Sequence, residues 1–482
     1  MVLNSLRFAA FFLIFLSVLL ILPEKIRKYW LLAGNCLFYL SWERRACVFL
    51  LLSSLMIWLC GLGLRGSADS NQEKVVSSQK PERRKSLFLI IPLVWNVGLL
   101  IFFKYTGLFA SVLGRAGVPF SAEAVIAPLG ISFYTLRCIS YMADVWRGTI
   151  QPVKNPLDVI LYVSFFPQII SGPIERPAGF FSELDAFQKK NLWNFSLIWQ
   201  GFLLFVWGLF QKIVLAERLS VISAHFFSDY TAFGFWELLL ASLAYTLQIY
   251  CDFAGYSDMS RGIAGMMGFS VMRNFRQPYL AIGIKSFWRR WHISLTSWLT
   301  DYVYIPLGGG RRGLLRKYVN IVIVFLVSGL WHGSTLNFIF WGLLHAVYRI
   351  LADLWDRTGR RLPGWLIWCI TFAEVNFAWI FFNAGGLNRG FRIIRQMFSG
   401  FAFPSELDTG LIPGNLAVLG LGLVVLLLVD VLHERKVSVF RKVFALPLPL
   451  RWLIILILFW SVIMLGIYGI GYDTSSFIYA RF

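Results

Sequence analysis

The sequence contains little charge. Only 15% of its 482 residues are charged, whereas 58% are hydrophobic and 17% are aromatic. A soluble globular domain is about 25% charged and about 45–50% apolar. The shortage of charge therefore excludes a disordered chain, a coiled coil and an ordinary soluble enzyme.

Disulfide partners and metal ligands are also scarce. The six cysteines include no C-x-x-C pair, and most lie in apolar runs, which is typical of buried single thiols. A zinc site needs three or four close ligands, and no two of the five histidines are spaced i, i+4. We expect no disulfide framework, no bound metal and no bound cofactor.

Acidic residues are outnumbered by basic ones, 25 against 45, which gives a net charge of +20. A nucleic-acid-binding protein presents such an excess as a basic patch on a polar surface. Here the basic residues separate long apolar runs, as in membrane proteins that concentrate Lys and Arg in cytoplasmic loops. The pattern predicts a lipid bilayer as partner and no nucleic acid.

Long apolar runs are the main feature that is present. A membrane-spanning helix needs about 20 largely apolar residues. Together the runs predict an all-α, polytopic membrane protein with about ten to twelve transmembrane helices. No small-x-small cleavage site follows the first run, so we expect a retained helix there rather than a signal peptide. The runs lie near residues 6–22, 29–42, 46–64, 87–103, 157–172, 195–215, 232–253, 319–331 with 334–350, 364–383, 415–432 and 452–472.

Some apolar stretches are shorter and contain Gly, Pro or Arg, which predicts re-entrant or broken helices. Such irregular backbone is stable at membrane depth only when it is packed in protein or lines a water-filled cavity. These stretches are residues 105–120, 123–136 and 259–271, and residues 65–86 form a polar loop. We expect one membrane domain over residues 1–482, with N-terminal helices in 1–126, a core in 127–350 and C-terminal helices in 351–482.

His332 is the first candidate for catalysis. It follows the apolar run 319–331, which is about 20 Å long if helical, so it would lie deep in a bilayer core of about 30 Å. Gly329 and Gly333 flank it and permit close approach of another backbone or a substrate. An ionisable group at this depth is a functional candidate. The alternative is a packed core histidine whose nitrogens are satisfied.

His292 is the second candidate. If residues 285–302 form one helix, Lys285, Arg289 and His292 share one face, and Trp288, Trp291, Leu295, Trp298 and Tyr302 share another. This predicts a cationic entrance in which Lys285, Arg289 and Arg290 hold an anionic donor, since guanidinium matches phosphate geometry. The alternative is an interfacial helix whose Trp residues anchor at the lipid headgroups.

Asp252 is a further intramembrane candidate, with a role in a substrate cavity or in structural pairing as the two interpretations. Asp258 and Arg261 are spaced i, i+3, which predicts an ion pair.

Seven stretches match the pattern of a known family. They are Pro128–Leu136, Phe165–Gln168, Ser171–Ile174, Asp252–Asp258, Phe287–Gly309, Gly329–Gly333 and Phe477–Tyr479. On these residues the chain resembles the membrane-bound O-acyltransferase (MBOAT) family, and within it the bacterial branch of the alginate O-acetylation and teichoic-acid D-alanylation membrane proteins. It departs from the common pattern at Thr300 and at Ser334–Leu336, differences that bear on the choice of donor or acceptor.

The resemblance implies a helical bundle around a funnel, with His332 as the catalytic residue and His292 as the second active-site residue. Trp331, Asn337 and Asp252 are expected to join Lys285, Arg289 and Arg290 in binding substrate.

The same resemblance implies an acyltransferase, in the first place an O-acetyltransferase, of the bacterial cytoplasmic membrane. It would take an acyl group from a cytoplasmic thioester, acetyl-CoA or an acyl-carrier thioester. The group would pass to an extracytoplasmic acetyltransferase partner or to the polymer itself, with alginate, cellulose, peptidoglycan, another exopolysaccharide and teichoic acid all open as acceptors.

Two other functions stay open from the residues alone. A transporter or flippase in the export of a cell-envelope polymer would suit broken helices and intramembrane Asp residues, although no inverted repeat is visible. An interaction scaffold for a secretion complex would give His332 no chemical role.

Overall fold

The computed structural model describes residues 1–42, 44, 46–65, 83–116, 125 and 127–468. Regular structure in these residues is helical, and they contain no β-strand, which confirms the all-α prediction. The match at Phe477–Tyr479 and most of the polar loop 65–86 lie outside the described residues.

The chain packs into two compact units. The first comprises the described part of Met1–Trp199 together with Ile263–Met272, and the second comprises Gln200–Gly262 with the described part of Arg273–Phe482. The predicted single domain, with divisions at residues 126 and 350, stays a prediction.

The first unit is built around eight described helices and their buried polar contacts. Asn35 donates to the Ser164 hydroxyl at 3.2 Å and accepts from the Phe166 amide at 3.0 Å, while Arg137 donates to Gln168 at 2.6 Å. These bonds give the family-matching stretch around Phe166 a structural role. The helices are α1 (Leu6–Ile21), α2 (Glu24–Leu40), α3 (Cys47–Arg65), α4 (Arg83–Lys104), α5 (Thr106–Arg115), α6 (Ile131–Trp146), α7 (Pro156–Ser164) and α8 (Pro177–Lys189).

The second unit contains the longest helix and all of the candidate site residues. Its α-helices are α9 (Phe195–Leu209, which begins in the first unit), α10 (Glu217–Ser228), α11 (Phe235–Met266, which ends in the first unit), α12 (Ile284–Trp288), α13 (Ile293–Leu299), α14 (Leu314–His332), α15 (Leu336–Arg357), α16 (Gly364–Asn383), α17 (Leu387–Met397), α18 (Pro413–Glu434), α19 (Val439–Phe444) and α20 (Leu448–Leu465). Phe210–Ala216 and Thr300–Tyr304 are π-helical, and Tyr230–Ala232 and Pro278–Leu280 are 3₁₀-helical.

Nine helices of the described chain are long and apolar enough to cross a membrane, and α1 is apolar but shorter. The prediction of a polytopic membrane protein is confirmed. Two of the predicted spans, 29–42 and 157–172, correspond to helices of 17 and 9 residues, fewer than the about 20 that a crossing needs. The nine are Cys47–Leu64, Ser86–Lys104, Phe195–Ser228, Phe235–Met266, Leu314–His332, Leu336–Arg357, Gly364–Asn383, Pro413–Glu434 and Leu448–Leu465.

The predicted break over 259–271 is wrong in its first half, because α11 runs unbroken for 32 residues to Met266. Its glycines serve helix packing instead. A Cβ on Gly262 would lie 2.6 Å from the Gly201 carbonyl oxygen, so α9 and α11 approach more closely than any side chain would allow.

The helices α14 and α15 are in equally close contact. A Cβ on Gly329 would lie 2.5 Å from the Phe338 carbonyl oxygen, and Gly342 lies in the same way against the Phe325 carbonyl. This contact holds His332, the last residue of α14, beside the first turns of α15.

Candidate active site

The segment 285–302 is not one helix, contrary to the sequence prediction. The helix α12 ends at Trp288 and α13 begins at Ile293. Between them His292 has a left-handed backbone with a φ of 42°. His292 therefore does not share a helical face with the basic residues before it.

Asn274 accounts for this break. Its carbonyl oxygen accepts a hydrogen bond from the Ile293 amide at 2.9 Å, and its side-chain Oδ1 accepts one from the Ser294 amide at 3.1 Å. The first amides of a helix need partners from outside the helix, and Asn274 supplies them. The sequence does not reveal this because Asn274 lies 18 residues before His292.

Three of the five residues on the predicted aromatic face are buried, and Trp288 and Tyr302 are partly exposed. Trp291, Leu295 and Trp298 are 1%, 4% and 4% exposed. Headgroup anchors would lie at the surface, so this burial does not fit the alternative of an interfacial helix.

His292 is buried between aromatic rings. Its ring centroid lies 4.6 Å from that of Phe253, at an interplanar angle of 90°, and 6.1 Å from that of Trp331. It lies outside the nine candidate spans, and burial lowers its pKa to about 3. The ring is therefore neutral at pH 7, the form that can accept a proton.

His332 is held by three aromatic side chains. Its ring centroid lies 4.9 Å from that of Trp331, 5.1 Å from that of Trp341 and 5.3 Å from that of Phe382. The structure thus brings the two candidate histidines together on one indole, although 40 positions separate them in the sequence.

The three predicted donor-binding cations have different environments. The Lys285 ammonium lies 2.6 Å from an Asp356 carboxylate oxygen, and Arg290 donates to both carboxylate oxygens of Glu434 at 2.6 and 3.0 Å. Arg289 is exposed and forms no ion pair with another described residue. Of the three, Arg289 is the one whose side chain is exposed.

Asn337 has a structural contact. Its side-chain amide is fully buried and donates to the Phe381 carbonyl at 3.1 Å, which ties α15 to α16. Trp331, in contrast, lies between the two histidines and is part of their immediate surroundings.

Asp252 belongs to a buried cluster of charges that the sequence interpretation missed. The Lys212 ammonium lies 2.7 Å from Asp252 Oδ1 and 2.6 Å from Glu217 Oε1. Lys212 lies in the π-helical segment Phe210–Ala216, and such segments often occur at functional sites. The signal in the sequence was an ionisable residue inside the predicted span 195–215.

A cavity of about 390 Å³ opens beside these charges. Phe382, which contacts the His332 ring, forms part of its wall, and Asp252 precedes the Phe253 that packs on His292. The cavity is lined by Lys212, Ala216, Glu217, Ser220, Ser223, Ala224, Tyr245, Gln248, Asp252, Phe338, Phe382, Asn383 and Gly385.

The cavity lies at one end of three helices whose other ends are basic. The helix α14 begins beside Arg316 and ends at His332, whereas α15 runs from Leu336 to Arg357. The helix α16 follows Arg361 and ends at Asn383, in the cavity wall. The basic ends and the cavity therefore mark opposite ends of this helix group.

Two expectations concern smaller clusters. Asp258 and Arg261 form the predicted ion pair, at 2.8 Å. Within the described ranges no group of three or more His, Cys, Asp or Glu side chains is arranged to hold a metal ion.

Comparisons with known proteins agree with the resemblance seen in the sequence. Residues 153–388 match the MBOAT, membrane-bound O-acyltransferase family. A peptidoglycan O-acetyltransferase of Helicobacter pylori is 35% identical over 401 residues, which cover 77% of this chain and 73% of the relative. A probable alginate O-acetylase AlgI of Pseudomonas aeruginosa is 36% identical over 432 residues, which cover 87% and 80% of the two chains.

A more distant relative has a different acyl group in its name. The teichoic acid D-alanyltransferase of Bacillus subtilis is 29% identical over 279 residues, which cover 54% of this chain and 69% of the relative. The long apolar helices, the family match and the two extensive similarities above lead to one conclusion. The chain belongs to the membrane-bound O-acyltransferase family, and it is an acyltransferase of the membrane.

Proposed function

We propose that the chain transfers an acetyl group from a thioester donor to a hydroxyl acceptor, with His332 as the general base. The observation that carries the proposal is the position of His332, whose ring contacts a wall of the 390 Å³ cavity from the end of a helix that begins among basic residues. Acetyl is favoured because the O-acetyltransferase and O-acetylase relatives share 35% and 36% identity, against 29% for the D-alanyltransferase.

The reaction needs a general base close to the hydroxyl group that receives the acetyl group. As the hydroxyl oxygen attacks the thioester carbonyl carbon, the imidazole of His332 takes the hydroxyl proton. The tetrahedral intermediate then collapses, the C–S bond breaks, and the imidazolium returns the proton to the departing thiolate. The products are the ester and the free thiol.

His292 supports this step from the other side of Trp331. Because its ring stays neutral, it adds no positive charge that would lower the basicity of His332. The aromatic rings around both histidines exclude water, and positioning in such a dry site supplies much of the rate.

The donor approaches from the basic ends of the helices. Lys and Arg accumulate on the cytoplasmic side of membrane proteins, and this bias supports a cytoplasmic location for those ends. The phosphates of acetyl-CoA, or the phosphopantetheine phosphate of an acyl-carrier thioester, would pair with the exposed Arg289.

The acceptor approaches from the cavity, on the extracytoplasmic side of a bacterial cytoplasmic membrane. A polysaccharide, or a hydroxyl of an extracytoplasmic acetyltransferase partner, would receive the acetyl group there. The acceptors in the names of the relatives, peptidoglycan, alginate and teichoic acid, are all cell-envelope or exported polymers.

The test compares His332→Ala with His225→Ala, a control at a partly exposed ring of the same unit. Both variants are reconstituted in lipid nanodiscs and given labelled acetyl-CoA or an acetylated carrier protein, and thioester cleavage is followed. We expect a loss of about 100-fold or more for His332→Ala, the range for removing a general base. Unchanged cleavage in a folded His332→Ala protein would reject the proposal, and movement of intact solute without cleavage would support a transporter.

A further inference from the structure

The chain around His292 is broken although its own sequence suits an unbroken helix. Residues 285–302 have the periodicity of one amphipathic helix, and they contain neither glycine nor proline. In such a helix the Ser294 amide would donate to the Arg290 carbonyl, four residues earlier. Instead the helix is interrupted, and His292 has a φ of 42°. A left-handed conformation is unfavourable for a residue that has a Cβ, so contacts from another part of the chain must impose it.

The segment Asn274–Arg276 supplies those contacts. The Ser294 amide donates to Asn274 Oδ1 at 3.1 Å. The Arg290 carbonyl, which would be the partner of that amide in an unbroken helix, accepts from the Arg276 amide at 2.9 Å. The Ile293 amide donates to the Asn274 carbonyl at 2.9 Å. Of these three bonds only the one to Oδ1 requires a particular side chain, because the other two join backbone groups.

The break determines where the His292 ring lies. The ring is perpendicular to that of Phe253 at a centroid distance of 4.6 Å, and its centroid lies 6.1 Å from that of Trp331. On an unbroken helix the imidazole would instead share a face with Lys285 and Arg289, as its spacing from them requires. The break therefore brings the ring from the cationic side of the segment to the indole of Trp331.

The side chain of Asn274 is used as an acceptor. It is fully buried, its Oδ1 is bonded, and its Nδ2 has no hydrogen-bond partner among the described residues. A leucine of similar size would leave the Ser294 amide without this acceptor. An aspartate would keep both the shape and the acceptor oxygen. The two substitutions therefore separate the hydrogen bond from the volume of the side chain.

Packing holds the loop that carries Asn274 in place. The ring centroid of Phe275 lies 5.0 Å from that of Phe253 and 5.0 Å from that of Trp291. Phe275 is itself buried. Replacement of the Asn274 side chain thus removes a hydrogen-bond acceptor and leaves these contacts of the loop intact.

We propose that Asn274 is a positioning residue of the active site, which holds His292 in its left-handed conformation and so keeps the imidazole at Trp331 during acetyl transfer. This inference rests on the proposed function, because it gives His292 a part in the step that His332 performs. The effect of Asn274 on the reaction passes through the Ser294 amide. Strained backbone of this kind persists only where surrounding contacts over-determine it, and it is frequent at active sites.

The experiment follows the His292 ring and the reaction in the same variants. Protein containing isotope-labelled histidine is placed in nanodiscs, and the NMR signal of His292 is identified by its loss in His292→Gln. In Asn274→Leu we expect this signal to move and kcat for thioester cleavage to fall by about 10- to 100-fold, with a smaller change in the KM for the donor. In Asn274→Asp the signal should keep its position and kcat should stay within about threefold of the unaltered value, because the acceptor oxygen remains.

The matched control is Asn35→Leu. Asn35 is also buried, and its side-chain oxygen accepts from the Phe166 amide at 3.0 Å in the first unit. This variant should lower Tm and leave the His292 signal and kcat unchanged, which separates a loss of stability from a displaced imidazole. Asn274→Ala removes the same acceptor as Asn274→Leu with less bulk, and it takes the place of that variant if Asn274→Leu does not fold.

Three results would overturn the inference. They are an unmoved His292 signal or an unchanged kcat in Asn274→Leu, an equal fall of kcat in Asn35→Leu, and a signal displaced as far in Asn274→Asp as in Asn274→Leu. If the His292 signal behaves as expected in all variants but His332→Ala cleaves the thioester at the unaltered rate, the proposed function alone is rejected.

Discussion

The rings of His292 and His332 contact the same indole, that of Trp331, at centroid distances of 6.1 and 4.9 Å. One histidine lies in a break between two short helices and the other ends a 19-residue helix. Trp331 is thus the side chain through which the two histidines are held at a defined separation.

Replacement of Trp331 should therefore reduce the rate of catalysis. In Trp331→Leu both imidazoles lose a common wall, and a displacement of about 1 Å can cost about 100-fold in rate. We expect kcat for thioester cleavage to fall by about 10- to 100-fold, while Trp365→Leu, at a residue 68% exposed, leaves it unchanged. A wild-type kcat in Trp331→Leu would show that the indole does not position the histidines.

The buried ring of His292 should make the protein less stable in acid. Its pKa is lowered from 6.5 to about 3 in the folded protein, so between these values the unfolded chain binds a proton that the folded chain does not. At pH values below 6.5, this residue should therefore lower the free energy of unfolding by at most about 1.4 kcal/mol for each pH unit. Between pH 7 and pH 5, the Tm of the His292→Gln variant should therefore fall by less than the Tm of the unaltered protein.

His225→Gln is the control for this experiment, because His225 lies partly exposed in the same unit. Its Tm should decline with acid as steeply as that of the unaltered protein. An equally steep decline in His292→Gln would contradict the assignment to His292.

The charged cluster at Lys212 should be essential for folding. In Lys212→Met the carboxylates of Glu217 and Asp252 lose the buried ammonium, and breaking a buried ion pair costs about 3–5 kcal/mol. We expect a large fall in Tm and in membrane insertion. Adding Glu217→Gln and Asp252→Asn should restore much of both, and a failure of this rescue would show that Lys212 acts through other contacts.

The close contact between α14 and α15 should tolerate no side chain at Gly329. In Gly329→Ala the new Cβ would lie 2.5 Å from the Phe338 carbonyl oxygen, so the helices must separate at a cost of about 1–3 kcal/mol. Gly420→Ala is the control, because nothing lies within 4 Å of its Cβ and alanine is favoured in a helix by about 0.5–1 kcal/mol. Thermal unfolding in detergent should show opposite signs for the two variants.

Donor binding should depend on Arg289 more than on the cations that are already paired. Arg289→Glu should raise the KM for the thioester donor by about tenfold, as expected for lost charge-assisted hydrogen bonds to a phosphate, with little change in Tm. Arg290→Gln should instead lower Tm, since it breaks the ion pair with Glu434. An unchanged KM in Arg289→Glu would move the donor entrance elsewhere.

The pattern of apolar residues in the sequence predicted the all-helical membrane architecture. The apolar runs located most of the long helices, because the length and hydropathy of a span can be read from consecutive residues. The break at His292 was missed, since it depends on hydrogen bonds from Asn274, 18 residues away. Helical periodicity describes only the residues within a continuous helix.

The sequence by itself determined that this is an all-helical membrane protein with one histidine after a long apolar run and one in a Trp-rich segment, because these properties are local. Only the tertiary structure decided that both histidines meet at Trp331, that Lys212 pairs with Glu217 and Asp252, and that Arg289 stays exposed. Such contacts join residues far apart in the chain, and they arise from the way helices pack rather than from the order of neighbouring residues.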